Sequence, residues 1–104
     1  MSLELDVLTD RLIAALPSTG LRVLGRLWDE QAFGSGLTEL GRSTAELRIV
    51  WDGKDSWAFL QKLLPDGKWV DIAGPVRKSD FGFGVLDERK VEEMADAARV
   101  ALGT

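Results

Sequence analysis

The chain contains no cysteine, no histidine, no tyrosine and no asparagine. Without cysteine there is no disulfide, thiolate ligand or thiol nucleophile. Without histidine the commonest general base and the commonest metal ligand are both missing. The lack of asparagine removes any N-glycosylation acceptor. No apolar run approaches the roughly 18 residues that a membrane span needs. The start, Met1-Ser2-Leu3-Glu4, has neither the basic residues nor the apolar stretch of a signal peptide. The expected compartment is therefore the cytoplasm, with no membrane partner, no metal and no cofactor expected.

What is present is ordinary for a globular protein. The 104 residues suit a single domain spanning 1–104. A hydrophobic share of 45% with 29% charged residues is enough for one modest core without metal or disulfide support. The net charge of −4 argues mildly against a generic nucleic-acid or membrane surface.

The stretch from Ala45 to Ile72 organises the rest. Three apolar-rich runs are separated by Asp52-Gly53-Lys54-Asp55 and Pro65-Asp66-Gly67, residues that favour tight turns. The pattern predicts an antiparallel meander. Ala45, Leu47, Ile49 and Trp51 share a face in its first strand, opposite Glu46, Arg48 and Val50. The second strand is apolar on both faces, which suits an internal position. A two-residue loop at Asp66-Gly67 would set Lys62 opposite Asp71, and a three-residue loop would shift that register. Gly74-Pro75 is expected to break the third strand.

Before the meander, Leu5, Leu8, Leu12 and Leu16 recur at helical spacing, predicting a helix over 3–16 that Ser2 could cap and Pro17 ends. Leu21 to Trp28 reads as a strand with Leu21, Val23 and Leu27 on one face, Arg22, Leu24, Arg26 and Trp28 on the other, and Gly25 as a bulge candidate. Asp29 to Ser43, with Gly34, Gly36 and Gly41, reads as a long loop, a feature that small domains often use for function. After the meander, Phe81, Phe83 and Val85 alternate with glycines, suggesting one more strand over 76–86. Asp87 to Leu102 then forms a helix with Asp87 as N-cap, an apolar stripe of Val91, Met94, Ala95, Ala98 and Leu102, and Gly103 at its end. The fold class is α+β: one antiparallel sheet of four or five strands with both terminal helices packed on one face.

Motifs that carry chemistry are scarce. Gly36 to Ser43 is one residue from a P-loop, but arginine replaces lysine, Glu39 sits inside the anion nest, and the context is not strand-to-helix. Gly82-Phe-Gly84 lacks the third glycine of a dinucleotide fingerprint. Asp52, Asp55, Asp66 and Asp71 gather near hairpin ends, where turn chemistry explains Asp52 and Asp66 without a metal. No serine lies in a nucleophile-elbow pattern. A catalytic role is therefore not expected.

Two functional expectations follow from the tryptophans and cations. The first is a non-enzymatic module that binds a protein partner, or itself as a homodimer, through an exposed sheet face or the 29–43 loop, with Arg22, Arg26, Trp28 and Phe33 as candidate contacts. The second is a single-stranded nucleic-acid binder that stacks bases on Trp57 and Trp69 beside Lys62, Lys68, Arg77 and Lys78. The segment Lys78-Ser-Asp-Phe-Gly-Phe-Gly-Val-Leu-Asp-Glu, entering a helix, is loosely similar to the end of PC4-type coactivator domains, a resemblance that bears only on this second expectation.

Overall fold

In the computed structural model, which describes residues 3–82 and 86–103, helix α1 (Leu3–Ala14) leads into five strands. They are β1 (Arg22–Asp29), β2 (Ser35–Gly41), β3 (Ala45–Asp52), β4 (Trp57–Leu63) and β5 (Trp69–Arg77). A 3-10 turn (Lys78–Asp80) and helix α2 (Glu88–Leu102) complete the chain. Each strand pairs antiparallel with the next in chain order, so the sheet is one open meander. Both helices lie on the same face of it, α1 over β2 and β3 and α2 over β5. The expected α+β architecture is present, with five strands.

The helix signals act as their chemistry dictates. Leu5, Leu8 and Leu12 of α1 are buried, and Leu16 in the following turn joins them. Thr9, also buried, donates its hydroxyl to the Leu5 carbonyl at 2.8 Å. Ser2, the expected cap, lies outside the described residues. At α2 the Asp87 carboxylate accepts the Arg89 N–H at 2.9 Å, satisfying one of the free donors of the first turn. Gly103 closes the helix in the left-handed region at φ 74°. The stripe Val91, Met94, Ala95, Ala98 and Leu102 is buried as the spacing predicts. These side chains meet Leu40, Leu47, Ile49, Leu60 and Val76 of the sheet in one core. Each fully buried aliphatic side chain there contributes roughly 1.5–3 kcal/mol.

Several local expectations are corrected. The 29–43 stretch is not a long loop: a short turn carries the chain into β2, which is paired on both sides. The register along β1 slips between Val23 and Gly25. Val23, Arg26 and Trp28 therefore stand opposite Leu40, Thr38 and Gly36 on the helix side, and Leu27 turns to the open side. The one extra residue reverses the alternation, as a bulge must. Gly74-Pro75 does not end β5, which runs on to Arg77. Proline is tolerated there because β5 is an edge strand with an irregular register against β4.

The region 76–86 is not one strand: Val76 and Arg77 end β5 and Lys78–Asp80 form the 3-10 turn. Phe83, Gly84 and Val85 of that expected strand lie outside the described residues. The turns differ from expectation too. The β3–β4 loop has four residues, Gly53 to Ser56, and its positive φ falls on Ser56 at 55°. Asp52 organises it by accepting the N–H groups of Lys54 and Asp55. The β4–β5 loop takes the three-residue form, with Gly67 at φ 89° and the Leu64 N–H bonded to the Lys68 carbonyl. That moves Lys62 opposite Val70 and brings Gln61 opposite Asp71.

Candidate interaction surface

The two helices leave one face of the sheet open, and strand alternation places its side chains in cross-strand rows. One row runs Glu39, Arg48, Gln61 and Asp71 across β2 to β5. The Arg48 Nε donates to Gln61 Oε1 at 2.7 Å, and Gln61 Nε2 donates to Asp71 Oδ1 at 2.7 Å. Burial pushes the Arg48 guanidinium below its usual value, and the negative charge of Glu39 opposes that shift. The next row is apolar: Leu27, Leu37, Val50 and Phe59 across β1 to β4. Leu27 is 62% exposed, while Leu37, Val50 and Phe59 are half-buried by their neighbours.

Aromatic rings close the face at its two ends. Trp57 stands in a row with Asp52 and Arg77, and its ring meets Phe59 edge-on at 5.6 Å. The Arg77 guanidinium lies 5.1 Å from the Trp57 ring centre. At the other end Arg48 lies 4.3 Å from the centre of the Trp69 ring. Both tryptophans thus already carry a stacked cation. The face carries both signs, with Glu39, Asp52 and Asp71 among Arg48 and Arg77. Beside the protruding Leu27 lies a shallow hollow of about 250 Å³ whose lining includes Ala32, Ser35, Leu37 and Val50.

The candidate residues named from the sequence are distributed as follows. Trp57, Trp69 and Arg77 share the open face. Lys62 is opposite Leu47 and Val70, which puts it on the helix side, away from both rings. Lys68 sits in the β4–β5 turn and Lys78 in the 3-10 turn, both exposed. Arg22, Arg26, Trp28 and Phe33 do not form one patch. Arg26 reaches across to Asp6 of α1 at 3.0 Å, Trp28 packs against the core, and Arg22 alternates away from Val23. Phe33 is in the β1–β2 turn, 71% exposed at φ 59°, with Lys54 Nζ 5.8 Å from its ring centre.

Glu39, Arg48, Gln61 and Asp71 were not singled out together from the sequence. Their common row depends on the presence of β2 and on the three-residue β4–β5 loop. The Gly36 to Ser43 segment is β2 and the turn after it, so it lacks the helix that a P-loop opens. Asp66 accepts the Lys68 N–H within its turn, as Asp52 does in the other. Among the described residues, no three acidic, histidine or cysteine side chains converge to hold a metal ion. None of the described helices is long and apolar enough to cross a membrane. Compared with models of known protein families, with curated proteins and with solved structures, the chain matches none.

Proposed function

We propose that this protein is a non-enzymatic interaction module that associates with a second copy of itself through the open sheet face. The carrying observation is the apolar row Leu27, Leu37, Val50 and Phe59, set beside the charge-alternating row Glu39, Arg48, Gln61 and Asp71. In a two-fold interface the same patch meets itself, so it must be self-complementary. A face that carries both signs meets that condition, because a rotated copy can set acid against base. Shape supports the same occupant: the exposed Leu27 stands next to a hollow, and a two-fold pairing lets each copy place its leucine in the other's hollow.

The nucleic-acid reading has weaker support. Arg48 and Arg77 cover the rings that bases would stack on, and Lys62 faces the helices. The acids Glu39, Asp52 and Asp71 on the same face also weaken any electrostatic pull on phosphates.

Light scattering coupled to size exclusion, at low and high salt over a concentration series, tests the proposal. A concentration-dependent dimer is expected in the wild type, and a folded monomer that still melts cooperatively in Val50→Lys. A wild type that stays monomeric at the highest concentration overturns it. Salt-dependent binding of a single-stranded oligonucleotide that quenches Trp57 and Trp69 would transfer the face to the second reading.

A further inference from the structure

A groove of about 400 Å³ lies at the end of the sheet opposite the Leu27 hollow, where β3 begins, β4 ends and the last turn of α2 borders them. Its walls include Leu63, Leu64, Pro65 and Ala101, and its two polar side chains are Glu46 and Lys62. It shares no residue with either cross-strand row of the open face.

The polar groups of this lining are not equivalent. Both carboxylate oxygens of Glu46 are taken by the Arg42 guanidinium, and one of them also accepts the Arg42 N–H. At the rim the Leu64 N–H is bonded to the Lys68 carbonyl, and the Leu64 carbonyl accepts the Gly67 N–H. Pro65 has no N–H to offer. The Lys62 ammonium is different: it forms no hydrogen bond or ion pair with a described residue, yet it is not closed off from solvent. Lys62 is half-buried on the helix side, opposite Leu47 and Val70. A lysine so placed lays its methylene stem along apolar surface and keeps its charge in water.

Apolar walls beside one free cation favour a ligand with matching halves. A cationic ligand would be repelled by Lys62 and Arg42, and a second acidic group would meet the Glu46 carboxylate. The volume is near the lower end of the ~300–1,000 Å³ typical of small-molecule sites. We infer that this groove binds a small monocarboxylic acid with an apolar body, its carboxylate at Lys62 and its hydrocarbon along Leu63, Leu64, Pro65 and Ala101. The charged contact orients the acid, and burial of the hydrocarbon supplies most of the affinity. The groove is open on one side, so half-saturation on the order of millimolar is expected for a short acid.

Backbone ¹H–¹⁵N NMR of the full-length protein tests this with hexanoate. The controls are 1-hexanol, which has the body without the charge, and acetate, which has the charge without the body. Hexanoate is expected to move the Leu63, Leu64 and Ala101 amide resonances saturably. Hexanol should move the same resonances with weaker affinity, and acetate should not saturate. Lys62→Met keeps the linear stem and removes the charge. It should weaken hexanoate about fivefold, the size of one partly exposed ion pair, and leave hexanol unchanged. Retained hexanol binding in this variant shows that the groove is still folded.

Val50→Lys, altered in the open-face row, should bind hexanoate as the wild type does, so failure of the self-association proposal would not touch this one. No saturable movement with hexanoate overturns the inference. Equal hexanoate affinity in Lys62→Met and the wild type also overturns it, because the contact would then be apolar only. So does acetate saturating the same resonances, which would make the groove a simple anion site, or shifts centred on Leu27, Val50 and Phe59 instead.

Discussion

The two faces of the sheet are made from the same five strands and differ in kind. The covered face is mainly aliphatic, with Leu40, Leu47, Ile49, Leu60 and Val76 buried under the helices and Trp28 and Trp51 packed into the same core. Its packing is close but nondirectional, and any well-shaped apolar group would serve there. The open face is aromatic and charged. Its side chains are tied laterally by directed contacts, Arg48 to Gln61 to Asp71 and arginine to tryptophan. A face meant only for solvent does not need that much half-buried ring surface. The difference separates two roles: one face supplies stability, and the other is organised as a surface with defined geometry.

The sharpest way to break this contrast is to truncate matched residues on β3. Leu47 is fully buried on the covered side, and Leu47→Ala should cost about 2–5 kcal/mol. Val50 is only half-buried on the open side, and Val50→Ala should cost about 1 kcal/mol or less. Urea denaturation of dilute protein measures both. Equal losses would mean that the open face is covered in the monomer and that the distinction fails.

The second effect concerns the corner where two hairpins meet. A Cβ on Gly53 would lie 1.9 Å from the Phe33 carbonyl oxygen and 2.8 Å from the Gly34 carbonyl carbon. The obstacles are main-chain atoms, which cannot rotate away. The Gly53 N–H also donates to Ser35 Oγ at 3.0 Å. Gly53→Ala must part the β1–β2 and β3–β4 turns, at about 1–3 kcal/mol. An unchanged denaturation midpoint would show that the corner is not packed as described.

That corner also shows what was legible in the sequence and what was not. The helices were readable because period, cap and stop agreed within each segment, as with Asp87 and Gly103 around the α2 stripe. β3 was readable because its apolar positions alternate. β2 was not, because its inward positions are Gly36, Thr38 and Leu40, and only one of them is a large apolar side chain. The space above Gly36 is filled by Trp28 from the neighbouring strand, so the strand's apolar content is supplied by another segment. The site followed the same rule. Trp57 and Trp69 were singled out as aromatic candidates, but their common face rests on the three-residue β4–β5 loop, which local pattern left open. The Arg48 row and the Lys62 groove were not legible: the row needs β2 and that same loop, and the groove needs α2 brought beside the end of the sheet. An alternation test over Gly36, Thr38 and Leu40 that allowed a glycine on the inner face would have raised β2 as an option.

The polar row gives a smaller and more specific prediction. Gln61 bridges Arg48 and Asp71, accepting from one and donating to the other. Gln61→Ala should cost about 1 kcal/mol and free Arg48 to leave the Trp69 ring. If the row acts as a unit, Arg48→Ala in the Gln61→Ala background should cost clearly less than in the wild type, a non-additivity that a double-mutant cycle reads directly. Additive losses would reduce the row to independent surface contacts and weaken the case that the open face is organised.

The smallest expected effect lies away from both faces, at the turn between β2 and β3. The Arg42 side chain donates to both carboxylate oxygens of Glu46, from Nε at 3.1 Å and from Nη2, and the Arg42 N–H adds a third bond. These hydrogen bonds, foremost those from the guanidinium, hold the Glu46 carboxyl below its usual value. A carboxylate whose folded pKa is depressed adds stability above its unfolded pKa. That stability is lost as the pH falls through the folded value, because the proton then binds the unfolded chain first. The window is therefore on the acid side of the ordinary glutamate range, and neutral pH is unaffected. The pair is solvent-exposed, so its effect is slight. Arg42→Ala should return the Glu46 titration, followed by carboxyl ¹³C shifts, to the ordinary range and flatten the acid limb of the stability curve. An unchanged Glu46 titration would show that the chelating geometry does not persist in solution.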